Sequence, residues 1–141
     1  MEGLTVFDLH VGQEAFTTKT ISETDVYLFA GITGDMNPAH LNEEYAKKTM
    51  FGGRIVHGLL SAGLISAVIG MQLPGPGTIY VRQDLKFLAP VKIGDTITAR
   101  VTVTELNTGK NRVTLETVCE NQEGKRIIEG DALVMPRKEG E

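Results

Sequence analysis

An acidic side chain and an imidazole lie five residues apart around a proline in the segment GDMNPAH, residues 34–40. Asp35 and His40 are the types of side chain that pass protons to and from a substrate. On one continuous helix, five steps of about 100° would place them about 140° apart, and their side chains would diverge. Pro38 interrupts the helical hydrogen bonds and biases Asn37 toward extended backbone, so the chain can turn both side chains toward one point. The segment therefore predicts an acid–base pair that shares one water molecule.

A glycine begins the most apolar part of the chain shortly afterwards. Residues 58–71 contain only two polar side chains, Ser61 and Ser66, so we expect a core helix that is enclosed on nearly all sides. In the first turn of that helix the Gly58 N–H has no intrahelical acceptor, and the helix dipole favours negative charge there. Gly58 is therefore the candidate donor to an oxyanion that develops on a substrate carbonyl.

Each of these residues also has a structural interpretation. Asp, Asn and Pro are the residues that turns select, so the segment around Asp35 and Asn37 is by itself equally compatible with a plain turn. The His57-Gly58 pair downstream favours the catalytic interpretation, although His57 itself is interpreted as a helix-entry residue rather than a third catalytic group. His10 has no partner in the sequence and is interpreted as a surface residue. No group of residues has the spacing of metal ligands or of a nucleophile motif, so we expect neither a metal nor a redox cofactor.

The second half of the chain alternates between apolar and polar residues. This period of two predicts strands over 96–104, 113–119 and 126–135, and together with 79–88 we expect an antiparallel meander of four strands. In the first half, we predict a strand over 13–21, a helix that begins at a capping box at Ser22, and a short helix capped by Asn42. A core helix and a long antiparallel sheet predict an α+β fold in which the sheet wraps the helix.

Size and composition bound the function. A chain of 141 residues fits one domain, and we assign residues 1–141 to it. The net charge of −4 gives no electrostatic surface for nucleic acids. The helical part of the apolar stretch spans about 14 residues, short of the roughly 20 that a bilayer requires, so we expect no membrane association. A single cysteine, Cys119, and an N-terminus without a secretory signal pattern favour the cytoplasm.

Four short segments together resemble a known family. They are DMNPAH at 35–40, IVHG at 55–58, LPG at 73–75 and IY at 79–80, and they look like the R-specific enoyl-CoA hydratases of the MaoC-like group, which adopt the hot-dog fold. The resemblance covers most of the chain, from about Ser22 to Met135. It implies the reversible addition of water to a trans-2-enoyl-CoA to give the (R)-3-hydroxyacyl-CoA, with no cofactor other than the CoA of the substrate.

The resemblance also implies roles for individual residues. Asp35 and His40 are expected to be the catalytic dyad, and the Gly58 amide is expected to bind the thioester carbonyl. Ser66 is expected to line the acyl pocket, and Asn37 to support the dyad. The family further implies a homodimer, in which two sheets join into one and each site lies near the interface. The basic residues available to bind the CoA phosphates are Arg54, Arg82, Lys86 and Lys92.

Two other functions remain compatible with the residues. A hot-dog acyl-CoA thioesterase would use a carboxylate to activate water against the carbonyl carbon, and it would have little use for the Asn-Pro-x-His continuation. A non-catalytic module that binds acyl-CoA or an acyl carrier would require the pocket but not both Asp35 and His40.

Overall fold

A single antiparallel sheet and one long helix dominate the structure. The computed structural model describes residues 1–141. In chain order the elements are β1 (Glu14–Thr20), α1 (Glu23–Thr33), α2 (Pro38–Leu41), α3 (Glu43–Ala46), α4 (Gly58–Met71), β2 (Ile79–Gln83), β3 (Lys86–Phe87), β4 (Thr96–Asn107), β5 (Arg112–Glu120) and β6 (Arg126–Met135). The strand order is β1-β4-β5-β6-β2, and β3 also pairs with β6. This is the α+β architecture that the sequence predicts.

The predicted meander is correct for three strands and wrong for the fourth. Strands β4, β5 and β6 are consecutive neighbours, but the segment 79–88 splits into β2 and β3, which both pair with β6 rather than with β4. The place beside β4 is taken by β1, where Ala15 lies opposite Val101. Strand β4 already has β1 on one side and β5 on the other. The segment 79–88 can therefore join the sheet only at the opposite end, beside β6.

The core lies between the sheet and α4. Alternate residues of β4, including Ile97, Ala99 and Val101, are fully buried, and those of β5 follow the same alternation at Val113 and Leu115. Twenty-one buried residues form one hydrophobic cluster. The period of two therefore identified the face of the sheet that packs against the helix.

Helix α4 begins and ends where the sequence predicts, but it is covered on one side only. Its buried residues are Ser61, Ile65, Val68 and Ile69, which face the sheet. The opposite face is exposed and consists of Leu59, Gly63, Ser66, Ala67 and Met71. The expectation of a helix enclosed on nearly all sides is therefore wrong for the single chain, because the sheet wraps only half of its circumference. No helix combines the length and the hydropathy needed to cross a membrane.

The first half of the chain forms helices at the predicted caps. Ser22 and Asp25 make a reciprocal capping box at the start of α1, and Gly34 ends that helix in the left-handed conformation at φ 80°. The side chain of Asn42 accepts a hydrogen bond from the Tyr45 N–H and caps α3. These short helices bring residues 35–57 to the N-terminal end of α4.

Candidate active site

The segment between α1 and α2 places the predicted acid. Gly34 turns the chain after α1, and Pro38 begins α2 as its first residue. Between them, the Asn37 N–H donates to Asp35 Oδ1 at 3.2 Å, while Asn37 Oδ1 accepts from the Ala39 N–H at 3.0 Å and caps α2. Asn37 thus contacts the carboxylate directly and begins the helix that carries the predicted base. These contacts supply a structural basis for its expected supporting role.

His40 is oriented by a carbonyl of the following loop. Its Nδ1 lies 2.7 Å from the Ile55 carbonyl oxygen. Because a carbonyl only accepts hydrogen bonds, Nδ1 carries the proton in the neutral ring, and Nε2 keeps a free lone pair. Nε2 is therefore the atom of His40 that can act as a base. Proline at the start of α2 and the bond to Ile55 together hold the ring in place.

The structure brings three polar residues to one point. The ligating or proton-accepting atoms of Asp35, His40 and His57 all lie within 4.8 Å of one another. One water molecule can bridge two groups at this separation, since each of its hydrogen bonds spans about 2.8 Å. The geometric prediction that the turn at Pro38 brings Asp35 and His40 together therefore agrees with the structure.

His57 has a larger part in the site than its sequence context suggests. It is the N-cap residue of α4, as its position predicts, but its side chain makes no capping bond. Instead its Nε2 lies 3.0 Å from the Asp35 carbonyl oxygen, to which it donates. Its ring packs against that of His40, with centroids 3.9 Å apart, and against that of Phe29, at 4.7 Å. His57 thus holds both members of the predicted dyad, and no spacing in the sequence could have revealed this, because the contacts span 17 and 22 residues.

The same three residues form a candidate metal site by proximity, but the ring geometry argues against one. Zinc ligands place their lone pairs on one ion at about 2.0–2.1 Å. The His40 and His57 rings are stacked with an interplanar angle of 31°. Lone pairs lie in the plane of an imidazole, so two stacked rings direct them along neighbouring lines rather than at a common ion. The arrangement fits hydrogen bonding and proton transfer better than metal binding.

A cavity of about 570 Å³ opens at these residues. Twelve of its 18 lining residues are hydrophobic, so it fits an apolar group with a polar end. Asp35, His40, His57 and Gly58 lie in its wall. A Cβ on Gly58 would lie 2.6 Å from the Phe87 ring, so only glycine leaves both the helix start and the ring in place. Gly58 lies in the first turn of α4, where its N–H has no intrahelical acceptor, and it lines the same cavity as the predicted dyad.

The structure does not place Ser66 in this cavity. Ser66 lies on the exposed face of α4, whereas Ser61 is fully buried and lines the cavity. Five residues on a helix are about 140° apart, so the two serines point to different sides. The expectation that Ser66 lines the pocket is therefore not met within one chain, and Ser61 is the residue that the sequence analysis passed over. A polar residue three positions after the helix-opening glycine was the available signal.

Arg54, one of the basic residues considered for the CoA phosphates, is held by carboxylates. Its guanidinium forms ion pairs with Glu23 at 2.7 Å and with Glu43 at 3.5 Å. The hydrogen bond to Glu23, with a second to Tyr27, raises the pKa of Arg54 above its usual value. The hydrogen bonds from Tyr27 and from Arg54, one each, lower the pKa of Glu23 in turn. Arg54 thus ties α1 to α3, and a phosphate would have to compete with both carboxylates.

The fold and the site together define a class of protein. A sheet that wraps one helix, with an acid–base pair at the helix N-terminus, is the architecture that the sequence resemblance implies. Residues 9–125 match the family described as MaoC like domain. The chain belongs to this MaoC-like family, and its fold is the hot-dog fold of the R-hydratases.

Several known proteins are similar over most of the chain. An (R)-specific enoyl-CoA hydratase from Rhodospirillum rubrum is 61% identical over 128 residues, which cover 91% of this chain and 88% of the relative. A 3-hydroxybutyryl-CoA dehydratase from Methylorubrum extorquens is 50% identical, covering 94% and 84%. Among solved structures, the R-hydratase PhaJ1 from Pseudomonas aeruginosa superposes with a TM-score of 0.90 at 47% identity, covering 96% of this chain and 88% of that one.

Proposed function

We propose that this protein is an (R)-specific enoyl-CoA hydratase, a lyase that reversibly adds water to a trans-2-enoyl-CoA to give the (R)-3-hydroxyacyl-CoA. The observation that carries the proposal is the convergence of Asp35, His40 and the start of α4 on one apolar cavity. The similarity to a hydratase at 61% identity, together with the match in fold, supports the same reaction.

The dyad activates one water molecule. Asp35 and His40 Nε2 hold the water between them, and one of them takes a proton from it as its oxygen attacks the β-carbon of the enoyl group. The same pair returns a proton to the α-carbon, so that one water is added in total and neither residue is consumed. General acid–base help of this kind is typically worth about 10²- to 10⁴-fold in rate.

The backbone of α4 stabilises the intermediate. Attack at the β-carbon moves negative charge to the thioester oxygen, and the Gly58 N–H donates to it. One such donor is worth about 2.7–4 kcal/mol in the transition state. No step requires a metal or a redox cofactor, because the proton carriers and the oxyanion donor are all supplied by the chain.

We also propose that the active form is a homodimer. The edge strand β2 exposes Ile79, Tyr80 and Val81, and an exposed edge is a place where a second sheet can add. The exposed face of α4 is likewise not covered by any other element of the chain. A symmetric partner would cover both, and the cavity near Leu59 would then lie beside the interface.

The single hydrophobic cluster, which runs from Val6 to Val134 in sequence, supports the treatment of residues 1–141 as one hydratase domain. A cytoplasmic location is also proposed. It is supported by the single cysteine of the chain, Cys119, which is buried and free.

The decisive experiment is a turnover assay. The purified protein is incubated with crotonyl-CoA, and the loss of the conjugated thioester absorbance is followed. The configuration of the 3-hydroxybutyryl product is then determined, and we expect the R form. Release of free thiol in place of hydration would instead indicate the thioesterase function, and the absence of any turnover with intact binding would indicate an acyl-binding module.

A further inference from the structure

Two buried polar atoms beside the dyad have no hydrogen-bond partner within the chain. They are Ser61 Oγ and His57 Nδ1. Ser61 is 0% exposed and His57 is 2% exposed, and both line the cavity. Buried polar groups are almost always paired, with protein or with an ordered water, because an unpaired one loses its hydration without replacement. Two such atoms in the lining of one cavity indicate that a further molecule, such as a water, binds there.

Both residues lie at the N-terminal end of α4 and line the same cavity. His57 is the N-cap residue of α4, and Ser61 follows four residues later on the buried face of that helix. Side chains of a helix lean toward its N-terminus, so the Ser61 side chain leans toward the end of α4 at which His57 lies. Neither Ser61 Oγ nor His57 Nδ1 has a hydrogen-bond partner in the chain, so they do not bond to each other, and one water with two hydrogen bonds of about 2.8 Å can join two such atoms.

The proton positions also fit a water. The His57 Nε2–H donates to the Asp35 carbonyl oxygen at 3.0 Å, so Nδ1 of the neutral ring is an acceptor and requires a donor. A water can donate to Nδ1 and exchange a second hydrogen bond with the Ser61 hydroxyl, which can both donate and accept. The nearby Cys119 thiol cannot fill this place, because its Sγ is directed at the Ser61 carbonyl oxygen at 3.7 Å.

We propose that Ser61 Oγ and His57 Nδ1 together bind one buried water, and that Ser61 is thereby a positioning residue for the catalytic dyad. The water holds His57 in the tautomer that donates to the Asp35 backbone. The same ring is stacked on His40. Loss of the Ser61 hydroxyl would therefore loosen the contacts that set the distance between Asp35 and His40, without removing any group that touches the substrate.

Nitrogen NMR tests the water bridge without reference to activity. The chain has three histidines, so their ring nitrogens in a uniformly ¹⁵N-labelled protein can be assigned with the variants His10→Gln and His40→Gln. In the parental protein we expect His57 to be protonated at Nε2 only. In Ser61→Ala we expect the Nδ1 resonance to move toward the position of a nitrogen without a hydrogen bond.

The matched control is Cys119→Ala. It removes one buried heavy atom beside the same turn of α4 but leaves the Ser61 hydroxyl, so it should not move the His57 resonance. An unmoved Nδ1 resonance in Ser61→Ala, or a parental His57 protonated at Nδ1, would overturn the proposal. A crystal structure should also contain a water within hydrogen-bond distance of both atoms, and an empty space there would overturn it equally.

Kinetics test the positioning role, and this part rests on the proposed hydratase function. In Ser61→Ala we expect kcat for crotonyl-CoA to fall about fivefold, with KM changed less than twofold, since the loss lies in the geometry of the dyad rather than in substrate binding. Cys119→Ala should keep parental values. An unchanged kcat, or a rise in KM alone, would contradict the role of Ser61. If the parental protein does not hydrate crotonyl-CoA, the proposed function fails, whereas the NMR result still decides whether the water is bound.

Discussion

The two faces of α4 are alike in sequence and different in surroundings. Both consist of apolar or small residues, yet one packs against the sheet through Ile65, Val68 and Ile69 while the other exposes residues such as Gly63 and Ala67. A helix that is apolar on all sides is stable only when it is enclosed. The single chain therefore supplies apolar surroundings for only one of the two faces of this helix.

The two faces also differ in chemistry. The side that faces the sheet includes Ser61 and continues at the N-terminus into His57, and so into the cavity and the dyad. The exposed side carries no titratable group. In the proposed function, catalysis belongs to the N-terminal end and the covered face, and the proposed dimer forms through the exposed face. The predictions below test this division.

The largest effect is expected at the dyad. Asp35→Asn and His40→Gln keep the size of each side chain but remove its ability to accept a proton. Each should lower kcat for crotonyl-CoA hydration by about 10²- to 10⁴-fold and leave the circular dichroism spectrum unchanged. His10→Gln, at an exposed position, is the control and should retain parental activity. Near-parental turnover in either dyad variant would remove that residue from the mechanism.

Much of this arrangement could be predicted from the sequence. The bounds of α4, the caps at Ser22 and Asn42 and the alternation of β4 and β5 depend on neighbouring residues, and local patterns record them well. The place of β2 and β3 could not be predicted, because it depends on β1 having already occupied the edge of β4. Residues 79–88 come shortly before β4 in the sequence, so pairing with β4 was the expected arrangement. The pairing is instead decided by β1, which occupies that edge of β4.

The residues of the candidate site likewise divide into those that the sequence could identify and those that it could not. Asp35 and His40 could be identified because Pro38 lies between them and determines how the backbone turns. His57 and Ser61 could not, since their significance depends on a carbonyl 22 residues away and on burial beneath the sheet. The expected role of Ser66 came from the family resemblance, and the face of α4 on which it lies becomes a wall of a pocket only if a partner covers it.

The second prediction concerns the exposed face of α4. Gly63→Glu places a charge on that face, where a Cβ would meet no atom within 4 Å in the single chain. Because a helical glycine is replaced by a better helix former, the monomer should stay folded. If the face is covered by a second copy, an unpaired charge is buried there, and the dimer dissociation constant should rise about 10²- to 10³-fold.

Analytical ultracentrifugation across a range of concentrations measures this effect. The matched control is Gly31→Glu in α1, which is also a helical glycine with no atom within 4 Å of a Cβ. It should leave the dimer intact. A Gly63→Glu protein that sediments as the parental dimer would show that this face of α4 is not the interface.

The third prediction concerns the helix start. In Gly58→Ala the new Cβ would lie within 2.6–2.8 Å of Phe87 ring atoms, so the ring or the helix terminus must move. The N–H donor remains, but a misplacement on the order of 1 Å can cost about 10²-fold, and we expect kcat to fall by about that factor. Gly70→Ala on the same helix meets no atom within 4 Å and should keep parental kcat. If Gly58→Ala and Gly70→Ala had equal kcat values, Gly58 would not be part of the oxyanion site.

The smallest effect compares the two faces by stability. Val68→Ala removes two methyl groups from a site that is 0% exposed, and we expect the free energy of unfolding to fall by about 2 kcal/mol. Met71→Ala, at a residue 60% exposed, should cost less than about 0.5 kcal/mol in a monomeric background such as Gly63→Glu. Urea denaturation measures both costs.

The same two variants are then compared in the parental background. Above the dimer dissociation constant, the cost of Met71→Ala should grow because the partner buries that side chain, whereas the cost of Val68→Ala should stay the same. If the cost of Met71→Ala is the same in both backgrounds, Met71 lies outside the covered surface, and the assembly face of α4 is confined to the side that contains Gly63.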